Sequence, residues 1–342
     1  MIAATKMLDA IWNNKAFKLV DVGDLDEGIL NVEKLDRFVR VVAESSPILN
    51  EARYQPMKSF QKNIDRIEMN DGILEPGRDA DGNKRSVSND AEVEVKTNTL
   101  VAKELIARLR LDYDTLEDNL EQAAFENTTI DLFGAAASRD IEKTFLYMDS
   151  AITWSTSRVS KIMSIGNGWL KKAGNQIYGL ESTTGADDAD FNPTDSDGDY
   201  DPIAIFKALM KATPNKYLSD RTNYRFYVPA DVEDMYRDIL AARGTVLGDN
   251  AITGNAPVVY KNIPIVSVPA FDDTTFTTVS KIPALLSKPS NMPWGLWRQV
   301  TIENQKDIDN RQIKNVLSMR GDCTYENEEA ATVAWLNKAK PT

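Results

Sequence analysis

Two adjoining stretches decide how this chain folds: Ala91–Tyr113, AEVEVKTNTLVAKELIARLRLDY, and Thr115–Ile152, TLEDNLEQAAFENTTIDLFGAAASRDIEKTFLYMDSAI. In the first, apolar residues alternate at Val93 and Val95 and again at Leu105, Ala107, Leu109, Leu111 and Tyr113. A period of two predicts a strand with one face buried. In the second the period lengthens. Ile130, Phe133, Ala137, Ile141, Phe145, Met148 and Ile152 recur in steps of three and four, which keeps one face of a helix apolar. Thr115-Leu116-Glu117-Asp118 has the form of a capping box, and its acids favour a helix start through the dipole. A helix from about Leu116 to Ile152 would be roughly 50 Å long at ~1.5 Å per residue, more than a typical globular helix needs. Gly134 inside it costs ~1 kcal/mol relative to Ala and marks a bend or a close approach.

Toward the N-terminus, the partner of the alternating stretch is Tyr54–Met69, where Met57, Phe60, Ile64 and Ile67 stand between charges. Asp71-Gly72, Pro76-Gly77 and Asp81-Gly82-Asn83, followed by Lys84, supply turn chemistry between the two. The expectation is a long two-stranded arm with a turn-rich tip. An isolated ribbon is marginal in water, so this one must lean on something outside its own domain. Its apolar face near the root, through Leu105, Leu109 and Leu111, is expected to be buried within the subunit, and its tip only in an assembly. Further upstream, Asn31–Glu44 reads as an amphipathic helix with Val32, Leu35, Phe38, Val39 and Val42 on one stripe, and Pro47 follows its end.

Toward the C-terminus, Val159–Leu180 is expected to be strand-like, with Gly166-Asn167-Gly168 as a turn. Asp187–Asp201 is an acidic loop. Within it Asp195, Asp197 and Asp199 are spaced like the start of a calcium loop, but Gly198 stands at position four, whereas such a loop needs Gly at six and Glu at twelve. A solvated loop is the reading here, and no metal site is assigned. Pro202 to about Ala270 forms an α/β lobe: a helix over Ile203–Ala212, a strand over Tyr224–Val228, a helix over Asp231–Ala242 closed by Gly244, and two strands around a tight turn in Val258–Val268. From Ala284 the chain returns to strands through Trp294, Trp297, Val300, Ile302, Ile313–Leu317 and Thr332–Leu336. The Trp residues read as core or lobe-interface anchors.

Composition narrows the function. The 342 residues are 42 % hydrophobic and 27 % charged, enough for a folded chain of two or three lobes. A net charge of −12 argues against holding nucleic acid through its phosphates, which takes clustered Lys and Arg. The chain contains no histidine, which removes the usual general base, the usual metal ligand and every Ser-His-Asp or Cys-His arrangement. Its one cysteine, Cys323, sits in a strand-like run and reads as a buried structural thiol. No stretch approaches the ~18 apolar residues of a membrane span. No catalytic set and no cofactor are expected.

The order of these parts, with Tyr260-Lys261-Asn262-Ile263-Pro264-Ile265-Val266-Ser267-Val268-Pro269 closing the α/β lobe, resembles the tailed-bacteriophage major capsid protein of the HK97 fold. The resemblance implies an α+β fold with an N-arm over residues 1–50, a long E-loop hairpin and return strand over 51–113, and a spine helix with the first part of the P domain over 114–199. An A domain over 200–272 and the C-terminal part of the P domain over 273–342 would complete it. In that family a Gly often stands where Asn262 stands here; Asn tolerates the left-handed turn position. The family's subunits form pentamers and hexamers that close into an icosahedral shell around double-stranded DNA, with a portal protein at one vertex and, in some members, a decoration or cement protein. Some members carry a charged helical scaffolding extension before the N-arm; the sequence here begins without it, which implies a separate scaffolding protein or a trimmed chain. Some members join Lys to Asn between subunits; Lys58, Lys62 and Lys84 lie in the arm, but no pattern singles one out. The implied location is a virion capsid assembled in the host cytoplasm. The alternative on the same fold is an encapsulin-like compartment. The alternative of another class is a carboxylate enzyme using a divalent metal, against which stand the dispersed acids and the missing histidines.

Overall fold

A computed structural model describes residues 46–69, 74, 78, 81–84, 93–112, 122–179, 190–194, 199–242, 258–272, 282–307 and 309–336. The expected N-terminal amphipathic helix, the Thr115–Asp118 capping box and Gly244 lie outside these residues. In chain order the elements are α1 (Pro47–Glu51), β1 (Gln61–Met69), β2 (Val93–Val101), β3 (Lys103–Asp112), α2 (Gln122–Tyr147), α3 (Arg158–Met163), α4 (Trp169–Lys172) and β4 (Asn175–Tyr178). They continue with α5 (Pro202–Ala212), β5 (Arg225–Val228), α6 (Ala230–Ala241), β6 (Val259–Tyr260), β7 (Ile263–Ser267), β8 (Ile282–Ser287), β9 (Trp294–Asp307), β10 (Gln312–Cys323) and β11 (Thr332–Leu336). The strands form a two-stranded ribbon β1-β2, a three-stranded sheet β3-β10-β9 and a six-stranded sheet β4-β11-β8-β5-β7-β6. Two compact units divide them: residues 104–139 with 298–320, and residues 46–103 with 140–297 and 321–342.

In the second unit, β11 pairs parallel with β4 and antiparallel with β8, and β5 pairs antiparallel with β8 and parallel with β7. α5 and α6 lay Ile205, Phe206, Leu209, Val232 and Tyr236 onto Phe226, Val228 and Leu286 of this sheet. Phe206 is the centre of an aromatic cluster, 4.7 Å from Phe226, 5.2 Å from Tyr260 and 5.5 Å from Tyr236. α5 starts where it does because Asp201 accepts from the amides of Ile203 and Ala204, at 2.9 and 3.1 Å, with Pro202 in the first turn. α6 starts one residue before the expected Asp231. It begins at Ala230 after Pro229, whose side chain caps nothing. The Ala230 amide instead donates to the Asp272 carboxylate at 3.0 Å, and burial raises the pKa of that acid. The β6-β7 turn holds Lys261 at φ 46° and Asn262 at φ 71°, the two left-handed positions of a tight hairpin turn. The asparagine is thus where it tolerates that geometry.

Three sequence expectations change. First, Val159–Leu180 is not strand-like throughout: α3 and α4 lie in it, and among its described residues the strand is confined to β4. Second, α2 stops at Tyr147 instead of Ile152, giving roughly 39 Å at ~1.5 Å per residue for the described helix. The segment after α3 intercepts its end: the Gly168 amide donates to the Met148 carbonyl at 2.7 Å, the Asp149 amide to the Met163 carbonyl at 2.9 Å, and the Ser150 amide to the Asn167 side chain at 3.0 Å. Backbone lies against backbone here. A Cβ on Gly168 would sit 2.6 Å from the Leu146 carbonyl oxygen and closer still to that of Phe145, so glycine is required by space.

Third, β3 is not a continuation of the arm. β2 ends at Val101, the Ala102 amide donates to the Phe60 carbonyl at 3.0 Å, and from Lys103 the chain belongs to the three-stranded sheet. The period of two holds there: Leu105, Ala107 and Leu109 are half-buried while Glu104, Ile106, Arg108 and Arg110 are exposed. The face expected to bury the arm root serves a different sheet. In that unit β9 and β10 are joined by a short connection in which Arg311 takes φ 51°. Asp307 accepts there from the Asn310 amide at 3.2 Å and pairs with Lys314; Lys314 first, and Asn310 after it, hold its carboxyl down to about 2.

Candidate assembly interface

The ribbon carries the candidate site. Its register pairs Gln61 with Val101, Ile64 with Asn98, Ile67 with Val95 and Met69 with Val93. Directly opposed residues share a face, so the two faces can be read from the pairs. One face holds Lys62 and Leu100, Ile64 and Asn98, Arg66 and Lys96, and Glu68 and Glu94. The other holds Asn63 and Thr99, Asp65 and Thr97, Ile67 and Val95, and Met69 and Val93.

The first face is the anchored one. Ile64 and Leu100 are buried with Met57 and Ala102, against Trp297, which meets Phe60 edge-on at 5.5 Å. Asn98 donates to the Tyr325 carbonyl at 2.8 Å, and the Val101 amide donates to the Asp322 carboxylate at 2.8 Å. Asp322 is itself 2 % exposed and lies 4.0 Å from the Lys172 ammonium. Further out, Glu68 meets Arg66 at 2.9 Å and Lys96 at 3.0 Å, and the Lys96 bond is the first cause of a lowered pKa for its carboxyl. Replacing Asp322 by alanine leaves the Val101 donor unsatisfied at the arm root, which costs about 1–3 kcal/mol. Chemical unfolding of Asp322→Ala should show that loss, together with faster amide exchange across residues 93–101; unchanged exchange there would mean that the root is held by other contacts.

The second face is polar near the root, where Thr97 donates to Asp65 at 2.7 Å and Thr99 to Asn63 at 3.3 Å, and apolar beyond. Ile67 is 73 % exposed, Val95 59 %, Val93 57 % and Met69 53 %. Among the described residues, these four apolar side chains stand in cross-strand register on the side away from the anchor and form an exposed apolar patch of the kind that marks an interaction surface. Leu74, farther along the arm, is 96 % exposed. At the tip, the Arg78 guanidinium donates to the Gly82 carbonyl at 2.8 Å, and Arg78 and Lys84 form an antiparallel bridge. Gly82 sits at φ 81° with nothing within 4 Å of where a Cβ would be. Asp81, Asn83 and Lys84 are exposed with it. Asp71, Gly72, Pro76 and Gly77 lie outside the described residues.

The helix residues expected to form a packing face distribute unevenly. Ala137, Ile141, Phe145 and Met148 are buried, Phe133 is half-buried, and the side chain of Ile130 is outside the described part. Phe145 stands 6.3 Å from both Trp169 and Trp294, and the Cys323 thiol donates to its carbonyl at 3.2 Å. Cys323 is fully buried, and burial pushes its thiol pKa far up, which suits a packing role. Asp199 is exposed, and Asp195 and Asp197 are outside the described residues. Among the described residues no three acid or thiol side chains gather into a metal-holding group, and no described helix is long and apolar enough to cross a membrane.

Sequence reasoning found the ribbon but missed the segregation of its two faces and the Asn98 and Asp322 anchors. The signal for the first was present in Val93, Val95 and Ile67, which alternate on the strands. Nothing local marks Asp322 as the partner of an amide 221 positions away.

Comparison with known proteins bears on the fold. No family model matches the chain. It is 28 % identical over 320 residues to a protein of Bacillus subtilis (strain 168) described as "Putative prophage capsid protein YqbE", covering 92 % of this chain and 93 % of that one. Among solved structures it is similar to a chain of the satellite phage P4 procapsid, with a TM-score of 0.60 at 15 % identity over 98 % of this chain and 97 % of that chain. It is similar to a chain of Mycobacterium phage Ogopogo, with a TM-score of 0.56 at 9 % identity over 85 % and 91 % of the two chains. The capsid of a native GTA particle gives a TM-score of 0.53 at 11 % identity over 86 % and 91 %. The chain has the α+β HK97-like fold of phage capsid proteins.

Proposed function

We propose that this chain is the major capsid protein of a tailed phage or prophage, a structural subunit that self-assembles into an icosahedral shell. The observation that carries the reading is the two-faced ribbon: one face tied to its own subunit through Ile64, Leu100 and Asn98, with the Val101 amide held by Asp322, the other presenting Ile67, Met69, Val93 and Val95 outward. The capsid likeness over nearly the full length of the chain supports it. In this reading the arm, including the tip at Asp71, Gly72, Pro76, Gly77 and Asp81–Lys84, lies on a second copy of the chain, in rings of five and six. Such contacts are heterologous and close only at the right curvature. The shell would enclose double-stranded DNA without binding it tightly, as the net charge of −12 suits a wall beside a polyanion. It would take a portal protein at one vertex, a scaffolding protein and, in some settings, a decoration protein, with assembly in the host bacterial cytoplasm.

Negative-stain microscopy of the purified chain tests this directly. Closed particles of uniform size are expected; a monodisperse monomer at every concentration would sink the proposal. Particles holding double-stranded DNA and a portal exclude an encapsulin-like compartment, which would hold an enzyme. Deleting Asp71–Lys84 should leave a folded, soluble chain that fails to form stable shells, and normal particles from that deletion would remove the arm tip from the interface.

A further inference from the structure

Glu142 lies near the C-terminal end of α2 and is 4 % exposed, a depth at which a carboxylate stays ionised only when a cation or several donors meet it. Here the compensation is thin. Its Oε1 accepts one N–H, from Ile48 at 3.3 Å, 94 positions away. The Ser46 hydroxyl lies beside the same carboxyl, is fully buried and has no well-directed hydrogen bond. Among the described residues, Lys143, its neighbour on the helix, is the only charged side chain acting on it.

The other charged groups on the elements packed around this corner are engaged elsewhere. On α2, Asp140 pairs with Arg158. On α1, Glu51 accepts from the Tyr227 hydroxyl at 2.8 Å and lies 3.8 Å from Arg225. Lys288, which leads into the turn at 289–291 beside α1, pairs with Asp220 at 3.4 Å. None of them neutralises Glu142. Burial accordingly pushes its carboxyl up to about 7, against 4.5 in water.

We propose that Glu142 is a proton-controlled latch: neutral, it closes the Ser46–Glu51 corner onto α2, and charged, it releases it. A neutral carboxyl satisfies both of its neighbours, accepting from the Ile48 amide and donating to the Ser46 Oγ. A charged one keeps only the long Ile48 amide bond and the Ser46 hydroxyl as described donors, too little to offset its burial, and opening the corner hydrates it. The sign follows from linkage. The closed state binds the proton more tightly than the open state, so closure is fully favoured below the open-state value of 4.5, weakens as pH rises toward 7, and is constant above that. The device concerns a conformational change inside one subunit and stands apart from the question of what the outer arm face binds.

Hydrogen exchange read by mass spectrometry on the full unassembled chain, over residues 46–52 and corrected for intrinsic rates, tests it. Between pH 6 and pH 8 the opening constant should rise about tenfold and then level off, as values of 4.5 and about 7 for the open and closed states require. Exchange across α5, which has no part in the latch, should not follow. Glu142→Gln, which keeps the acceptor and cannot ionise, should stay closed and flat with pH. A flat profile in the unaltered protein, which needs no variant to read, overturns the proposal; so does a Glu142→Gln chain that keeps the tenfold rise.

Discussion

Exchanging Ile67 for lysine and Val95 for glutamate together is expected to leave a folded, soluble chain that no longer forms particles. The two residues are directly opposed on the ribbon and are 73 % and 59 % exposed, so within one subunit they contribute little packing. Opposite charges placed face to face across two strands stabilise the pair by about 0.2–1 kcal/mol, and the net charge of −12 is unchanged. The ribbon therefore has no reason to unfold. Against a neighbouring subunit the same change puts two charged groups where apolar surface was to be buried, at a penalty of several kcal/mol per ion. Repeated at each copy around a ring, that penalty removes the closed assembly. Sedimentation velocity shows the loss of particles, and a thermal melt shows the retained fold. Particles of normal size and yield would mean that the outward face of the ribbon is not an interface, whatever the shell reading's other support.

Phe145→Ala should be the most damaging single change to stability, at about 3–5 kcal/mol. Domains of this kind are stable by only about 5–15 kcal/mol, so the loss is a large share of the whole. Phe145 has no exposed surface and is flanked by Trp169 and Trp294, each at 6.3 Å. Its ring also lies 3.1 Å from where a Cβ on Gly321 would be, so β10 approaches it without a side chain between. The cavity left by alanine has rigid walls, because the Trp169 indole is fixed by donation to the Thr324 carbonyl at 2.8 Å. Ile141→Ala should lose about 2–5 kcal/mol and Phe133→Ala clearly less, since Phe133 is only half-buried. Urea unfolding of the three orders them. A loss below 1 kcal/mol for Phe145→Ala would show that α2 does not pack as described.

The contrast among those helix positions shows how far periodicity reaches. Steps of three and four named Phe133, Ala137, Ile141, Phe145 and Met148 as one face, and local geometry forces that conclusion. Periodicity carries no information on how deeply each position is covered, which depends on what packs over it: at Phe145 two indoles. The strand over Lys103–Asp112 was equally legible, and its membership was not. A two-residue period marks a half-buried strand wherever it pairs, and the change of sheet at Ala102 rests on the Phe60 carbonyl and the Asp322 carboxylate.

By itself the sequence determined that this is a mixed α+β chain with a ribbon, a long helix and an α/β lobe, and that it lacks histidine chemistry. These are properties of local periodicity, turn residues and composition, which neighbours along the chain decide among themselves. Only the tertiary structure decided which ribbon face is anchored and which is bare, where the arm ends, that α6 is capped by Asp272, and that Glu142 is enclosed with one amide and one hydroxyl. Each of these depends on a donor, an acceptor or a wall brought from 24 to 221 positions away, and hydrogen bonding and burial at that separation are settled by the packed whole.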